Sequence, residues 1–415
     1  MQWQFYRDNA PWLAAATLMT FGSSFGQTFF IALSAGGIRA DYGLSDGGWG
    51  LIYTAATLAS ASVLVFAGRL ADRVAPTRLL ICIVAVYLAA CAAVGLGQSV
   101  WVLGLGLFGL RLAGQGLMPH LGQTLTARWF VQRRGQAVAT VVLGYPLGEA
   151  ILPPIAVAII AITGWRGLWG VVAAVLALLL LPAILALLRQ GDRQPRGATA
   201  GAHEGSPGLN ARHWQPGEVL RHWSFWALMP AILAPPFIGT VLFFHQVHLA
   251  ETRGWSLGLM ATGYPLYATL SVMTSLLTGR VIDRIGPLRL LPVFLLPMAI
   301  ASAGLMLPGD ERVWLVVLIG IGMSQGVVVT LLGTLWPTLY GTGNIGAIKA
   351  LSVSAMVVAT ALGPGITGLV IDAGATLSEQ APLFTLWCLL ASAVMAVVTR
   401  RLAASQREHA VAVRR

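Results

Sequence analysis

Residues 68–80 read GRLADRVAPTRLL, a short charged segment between two long apolar runs. A second version, GRVIDRIGPLRLL, occupies residues 279–291, and eight of the thirteen positions are identical in the two copies. The same offset of 211 residues matches Gly43 with Gly254 and Ser45 with Ser256. This duplication indicates that the chain consists of two related halves.

The composition is that of a membrane protein. Of the 415 residues, 57% are hydrophobic and 10% are charged, whereas soluble domains contain about 25% charged residues. So much apolar surface has to face lipid or other membrane helices. The net charge of +11 does not indicate a nucleic-acid partner, because the cations cluster in short segments between apolar runs, which is the pattern of a topology signal.

The apolar runs predict an all-α integral membrane protein with twelve transmembrane helices, since a spanning helix needs about 20 apolar residues. The runs cover residues 11–37, 47–67, 78–98, 101–126, 136–162, 167–188, 223–249, 257–278, 289–308, 313–337, 346–370 and 381–399. Six helices per half give the two copies the same orientation, as in transporters built from parallel repeats. The predicted domains are a bundle at 1–188, a polar linker at 189–222, a second bundle at 223–400 and a basic tail at 401–415.

Basic residues predict the orientation. With the amino terminus in the cytoplasm, 21 arginines and lysines fall on the cytoplasmic side, four fall on the other side, and Arg111 lies inside the fourth run. Such an asymmetry predicts that both termini are cytoplasmic. Abundant Ala, Gly and Arg are typical of a GC-rich genome, so we expect a bacterial inner membrane.

The two charged loops resemble the signature loop of the major facilitator superfamily. Two further motifs agree with this resemblance: residues 111–116, RLAGQG, in the fourth run, and residues 144–148, GYPLG, in the fifth. A weaker resemblance to the monocarboxylate and oxalate/formate porter branch rests on residues 128–135, RWFVQRRG, and 164–166, GWR. Porters of that branch commonly carry an arginine in helix 8, whereas residues 257–278 contain no charged residue.

The resemblance implies that the loops form a latch, meaning a set of contacts that keeps the cytoplasmic side closed and breaks when the two halves move. Their carboxylates can pair with arginines of neighbouring helices, and their glycines can let the chain leave each helix tightly. Anchoring by positive charge alone is the alternative. The predicted gating residues are Gly68, Arg69, Asp72, Arg73, Arg78, Gly279, Arg280, Asp283, Arg284 and Arg289.

Arg111 and Glu149 are the two charges expected near the membrane midplane, where a charged side chain is costly and faces the bundle interior or a wet cavity. They could form a structural ion pair. Alternatively, Arg111 could anchor an anion while Glu149 binds a proton. Gln115 and Tyr145 lie one helical turn from these two residues, on the same faces.

Further polar side chains could line a substrate cavity or hold helices together, as such residues do in membrane proteins. On the first and seventh runs these are Ser24, Gln27 and His245; in the second half they are Tyr264, Tyr267 and Gln325. His245 and His248 could titrate near neutral pH, and no third metal ligand is evident from the sequence.

The function expected from these patterns is secondary active transport by alternating access, coupled to protons, with a small organic anion as the cargo. The chain has no phosphate-binding GxxxxGK[ST] loop and no catalytic constellation, so we expect neither an enzyme nor a cofactor or metal. The expected partners are the cargo, protons and the bilayer, and the expected assembly is a monomer. The alternative function is proton-driven efflux of lipophilic or drug-like compounds, which the Gly/Pro motif of the fifth run favours.

Overall fold

The computed structural model describes residues 2–68, 70, 74–130, 133–189, 208–209 and 212–414. These residues form helices joined by short turns, and no β-strand occurs among them. The all-α prediction is therefore confirmed. Arg69, Asp72 and Arg73, which the sequence assigns to the gate, lie outside the described residues.

The described residues of the first half form ten helices. They are α1 (Gln2–Gly22), α2 (Thr28–Ile31), α3 (Ala35–Tyr42), α4 (Asp46–Ala67), α5 (Pro76–Leu96), α6 (Val100–Gly109), α7 (Met118–Trp129), α8 (Arg134–Val142), α9 (Gly144–Ala174) and α10 (Leu181–Arg189). Two π-helical segments, Leu110–Leu117 and Val175–Leu180, continue α6 into α7 and α9 into α10.

Nine helices follow in the second half. They are α11 (Pro216–Arg221), α12 (Trp223–Phe244), α13 (Gln246–Arg253), α14 (Leu257–Ala261), α15 (Tyr264–Ile285), α16 (Leu296–Gly304), α17 (Val313–Tyr340), α18 (Ile345–Asp372) and α19 (Leu377–Arg414). The short α11 begins with a capping box, in which the Gln215 side chain accepts from the backbone and Glu218 reaches back to the Gln215 N–H.

Eight described helices are long and apolar enough to span a membrane. Several of the twelve predicted runs differ from a single long helix. The fifth and sixth runs are continuous as Gly135–Arg189, with a sharp bend at Gly164, whose φ of 72° is accessible to glycine. The first run is interrupted after α1 and continues as the short helices α2 and α3. The ninth run is broken as well, and the eighth forms the less apolar α15.

The described residues cluster into two compact units. The first contains the residues up to Arg189 together with Phe243–His248 and Pro364–Ala373; the second contains the remainder of the region beyond residue 200. The division into domains at 1–188 and 223–400 stays a prediction.

The predicted end of the eighth helix is wrong, and so is the role given to its glycine. Gly279 was expected to let the chain leave the helix at about residue 278, but α15 continues to Ile285. The turn is made by Gly286, whose φ of 80° is unfavourable for other residues. Gly68, at the corresponding place after α4, also has helical dihedral angles.

Glycine allows α17 to approach α16 very closely in the second unit. A Cβ atom added at Gly320 would lie 2.6 Å from the backbone N of Ala301 and the carbonyl oxygen of Pro297. Gly333, on the same helix, has no atom within 4 Å of an added Cβ. A substitution at Gly320 therefore tests the close packing of the two helices, whereas a substitution at Gly333 tests helix propensity alone.

We predict opposite effects for alanine at these two positions. Gly320→Ala should lower stability by about 1–3 kcal/mol, because overpacking forces backbone shifts. Gly333→Ala should leave stability unchanged or raise it by up to about 1 kcal/mol through helix propensity. Thermal unfolding of the two purified variants in detergent measures both effects, and equal midpoints would contradict the described packing.

Candidate functional site

The first membrane run is interrupted where it passes the fourth. Helix α1 ends at Gly22, a 3₁₀ turn covers Ser23–Gly26, and Gln27 is extended with φ −84° and ψ 154°. Helix α2 resumes at Thr28. In an apolar environment irregular backbone needs a polar partner, and an arginine side chain provides one here.

That arginine, Arg111, lies in the π-helical segment Leu110–Leu117. Segments of π-helix occur frequently at functional sites. The segment packs directly against the 3₁₀ turn, since a Cβ atom at Gly26 would lie only 2.8 Å from the Cα atom of Gly114. Glycine at both positions therefore permits the backbone contact that places Arg111 beside the broken helix.

Arg111 is a buried cation, with 2% of its surface exposed. Its Nη1 donates to the carbonyl oxygen of Gly26 at 3.2 Å and to Thr28 Oγ1 at 3.4 Å. The guanidinium carbon lies 5.1 Å from the centre of the Tyr53 ring, within the range of a cation–π interaction. The Tyr53 hydroxyl in turn shares a 2.6 Å hydrogen bond with Thr28 Oγ1.

Arg111 forms no ion pair within the described part of the chain, and its Nε is buried without a hydrogen-bond partner there. A structural ion pair with Glu149 is thus not formed in this structure. Two carboxylates of the first unit pair with other arginines: Asp46 pairs with Arg39 and Asp41 pairs with Arg166.

Other predicted site residues surround the broken helix. Ser24 is buried, and its Oγ has no hydrogen-bond partner among the described atoms. Gln27 and Gln115 are half-buried on the two facing segments. Helix α9 approaches the same turn, because a Cβ atom at Gly148 would collide with the Ser24 side chain.

On α9, Tyr145 accepts a 3.1 Å hydrogen bond from Gln123, and Glu149 is half-buried one turn further along. Gly144 packs against the backbone of Thr17 and Phe21. Close helix packing accounts for Gly144 and Gly148, the glycines of the motif that favoured the efflux interpretation.

The remaining predicted cavity residues divide between the units. Tyr264 and Tyr267 are buried in the second unit with their ring centres 6.3 Å apart, and Gln325 is exposed on α17. His245 belongs to the first unit, where its side chain is 1% exposed. The structure brings His245 together with Asp46 and His248.

The charged loop at 279–291 is solvent-facing in this structure. Its polar side chains are exposed and make no ion pair within the described residues; they are Arg280, Asp283, Arg284 and Arg289. Arg78 of the first loop is exposed as well. The latch function of these residues stays a prediction.

At the opposite end of α4, small residues bring backbone segments together. The Asp372 carboxylate accepts from Ser45 Oγ at 2.7 Å and from the Gly47 N–H at 3.1 Å. Added Cβ atoms at Gly50, Gly365 and Gly368 would each come within 3 Å of atoms of the facing segment. This contact joins α4 to Pro364–Ala373 within the first unit.

Sequence reasoning missed two residues of these sites. Thr28 contacts Arg111, and the Asp46 carboxylate lies 3.0 Å from His248 and 3.8 Å from His245. A signal for Asp46 was present: at the offset of 211 residues it corresponds to Leu257, between two pairs of positions that are identical in the copies. A charge at one position of an otherwise repeated segment points to a role confined to one half.

Comparison with known proteins identifies the family. Residues 14–364 match the family model described as Major Facilitator Superfamily, and the chain belongs to this superfamily of membrane transporters. The described fold agrees, because a bacterial homologue of the human lysosomal transporter Spinster superposes with a TM-score of 0.65. The superposition covers 99% of this chain and 97% of that one at 18% identity.

Substrates are named for several of the curated relatives. The chain is 25% identical to the gentisate transporter of Corynebacterium glutamicum over 83% of this chain and 80% of that protein. It is 24% identical to the oxalate:formate antiporter of Oxalobacter formigenes over 43% of this chain and 41% of that protein. Most of the curated relatives are matched over less than two thirds of their own length.

We predict that loss of Arg111 lowers stability less than loss of Arg39. Arg111→Met should cost about 1–3 kcal/mol, because it leaves the buried carbonyl oxygen of Gly26 without its donor. Arg39→Met should cost about 3–5 kcal/mol, because it leaves the Asp46 carboxylate, 2.8 Å from Arg39, without its cation.

Thermal unfolding in detergent, followed by size-exclusion profiles, checks this pair. A loss in Arg111→Met as large as that in Arg39→Met would show that Arg111 serves the fold instead of a ligand.

Proposed function

We propose that this protein transports a small organic anion by alternating access and that Arg111 binds the anionic group of the cargo. The observation that carries the proposal is the buried guanidinium of Arg111, which no carboxylate of the described residues neutralises and whose Nε has no partner there. A buried cation of this kind is costly in a membrane protein and marks a functional site.

The chemistry of the surrounding residues suits a carboxylate. Guanidinium groups bind carboxylates through two parallel charge-assisted hydrogen bonds. Nη1 of Arg111 is engaged by the 3.2 Å bond to Gly26 and the 3.4 Å bond to Thr28, so Nη2 and Nε form the edge that remains for a ligand. Ser24, Gln27 and Gln115 supply neutral polar groups nearby.

The named relatives support an anionic cargo. Gentisate, oxalate and formate, which stand in the names of the two relatives, are all carboxylates. The efflux alternative draws less support, since packing accounts for the glycines on which it rested. The cargo of this chain is accordingly proposed as a carboxylate of small size.

We propose further that Glu149 is the proton-coupling residue. It is the half-buried carboxyl that lies on α9, next to Gly148 and the broken helix. A carboxyl in such a place can exchange a proton at modest cost, because burial penalises its charged form. Coupling of this proton to anion binding at Arg111 would make transport respond to a proton gradient.

The remaining expectations complete the proposal. The protein acts as a monomer in a bacterial inner membrane with both termini in the cytoplasm. Bundles at 1–188 and 223–400 move relative to each other, and the linker at 189–222 joins them. The loops at 68–80 and 279–291 latch the cytoplasmic side through their arginines and the carboxylates of Asp72 and Asp283.

Arg111 is tested by transport of radiolabelled gentisate and oxalate into proteoliposomes. We expect Arg111→Met to abolish uptake, and Arg111→Lys to retain less than a tenth of it, because a lysine cannot reproduce the bidentate geometry. The exposed Arg312, replaced by Gln, is the control for loss of a positive charge. Full uptake by Arg111→Met of a substrate that the parent protein transports would contradict the proposal.

Proton coupling is tested separately in the same vesicles. An imposed inward proton gradient should stimulate uptake by the parent protein, and a protonophore should remove the stimulation. Glu149→Gln should retain exchange of labelled for unlabelled anion but lose the response to the gradient, because the amide cannot bind the proton. Asp8→Asn, at an exposed carboxyl, is the control, and a gradient response retained in Glu149→Gln would exclude Glu149.

A further inference from the structure

A buried cluster of ionisable groups lies at the amino-terminal end of α4, far from Gly68 at the other end of the same helix. The Asp46 carboxylate lies 2.8 Å from Arg39 Nη1, 3.0 Å from His248 Nδ1 and 3.8 Å from His245 Nδ1. The four side chains are largely withdrawn from solvent, with exposed fractions of 15% or less. The transport mechanism proposed above does not use them.

The hydrogen bonds assign the protons of the two imidazoles. His245 Nε2 lies 3.1 Å from the carbonyl oxygen of Pro364. A carbonyl only accepts, so Nε2 carries the hydrogen, and in the neutral ring Nδ1 is left with a lone pair. The 3.8 Å from Nδ1 to the carboxylate is too long for a hydrogen bond.

His248 is in the opposite situation. Its Nδ1 is at 3.0 Å from Asp46 Oδ2, so the neutral ring already donates there and needs no further proton for this bond. A proton added to the cluster at His245 would instead occupy Nδ1 and turn the ring into a cation.

The charges around His245 oppose that added proton. Arg39 already neutralises Asp46, and Ser45 and Asp46 begin α4, whose amino-terminal dipole is positive. A protonated His245, 1% exposed, would leave an extra positive charge buried in the protein, which is costly. The titratable and charged groups that form or flank the cluster are Arg39 on α3, Asp46 on α4, His245, His248 and the exposed Glu251 along α12 and α13, and Asp372 on α18. The same helices carry Asp41, which pairs with Arg166, and Arg253, which donates to Ser378.

The Asp372 carboxylate does not compensate the positive charge that protonation of His245 would add. Its Oδ2 is held by Ser45 Oγ and the Gly47 N–H, at 2.7 Å and 3.1 Å. The cluster as it stands is therefore balanced with both histidines neutral.

The segment that carries the histidines also contacts the Arg111 site. Phe244 stacks on Trp49 with ring centres 5.4 Å apart and lies 4.7 Å from the Tyr53 ring. Tyr53 in turn covers the Arg111 guanidinium, and Gln246 donates to the Phe29 carbonyl. Phe243–His248 and Pro364–Ala373 both come from sequence beyond residue 222, so a motion that separates the sequence halves at this end must break the cluster.

We propose that His245 is a proton-binding site in which the neutral ring holds this cluster closed and binding of a proton at Nδ1 opens it. The cluster then adds a second proton site to the transport cycle, and only this use rests on the function proposed above. Proton binding itself is independent of any cargo.

The test compares the pH dependence of thermal unfolding, without cargo, in the purified parent protein and in two matched variants. His245→Gln keeps a donor for Pro364 and cannot titrate, whereas His248→Asn keeps a donor for Asp46. Because the folded state disfavours the protonated His245, its contribution to stability is complete above the ordinary titration range near pH 6.5 and is lost as the pH falls. The parent midpoint should therefore drop more between about pH 8 and pH 5.5 than that of His245→Gln.

His248→Asn and the exposed His120→Gln should keep the parent slope. An unchanged slope in His245→Gln, or a parent midpoint that rises on acidification only when His245 is present, would overturn the proposal. If His245→Gln does not fold, titration of the histidine rings of the parent protein by NMR replaces it. The His245 ring should then titrate below the ordinary histidine value of about 6.5, and titration above that value would overturn the proposal. Anion uptake is not part of either measurement, so failure here leaves the role of Arg111 standing.

Discussion

The hydrogen bond from Arg111 to the carbonyl of Gly26 is the interaction on which the candidate site depends. It satisfies a carbonyl oxygen that the interrupted helix exposes, and it fixes the arginine in a region where water cannot solvate it. The bond requires that the 3₁₀ turn and the π-helical segment approach without side chains between them, which Gly26 and Gly114 allow. The break in the first helix thus exposes the carbonyl oxygen that Arg111 binds, and the hydrogen bond from Arg111 in turn stabilises the break.

The cation–π contact and the hydrogen bonds at Arg111 hold the side chain but do not neutralise it. A guanidinium that needed only structural support would be expected to lie near one of the carboxylates of the first unit. Asp41 and Asp46 are instead paired with Arg166 and Arg39. Arg111 is therefore a buried cation of the first unit that has no carboxylate partner among the described residues.

Much of the fold could be predicted from the sequence, because apolar runs of about 20 residues have few alternatives to a membrane helix. The duplicated loop likewise indicated the repeat, and Arg111 stood out as the charge within the fourth run. Residues such as Thr28 could not be found in this way, since they matter only where the first helix breaks. The predicted carboxyl-terminal end of α15 is too early, because the charged residues of its last turn have the composition of a loop. The helix continues until Gly286 ends it. The pairing of Asp46 with His248, 202 residues apart, is set by tertiary packing and leaves no periodic trace.

The glycine-lined contact between α4 and Pro364–Ala373 has a consequence for reversibility. Gly50 and Gly368 bring main chain against main chain, and Gly365 lets the segment approach the Thr54 side chain. Few side chains therefore interdigitate at these points. Surfaces of this kind can part and rejoin with little rotamer rearrangement, and dispersion between backbones, together with a few polar bonds such as those of Asp372, sets the cost of separation. A contact of this kind can open and close repeatedly without extensive repacking of the side chains on either side.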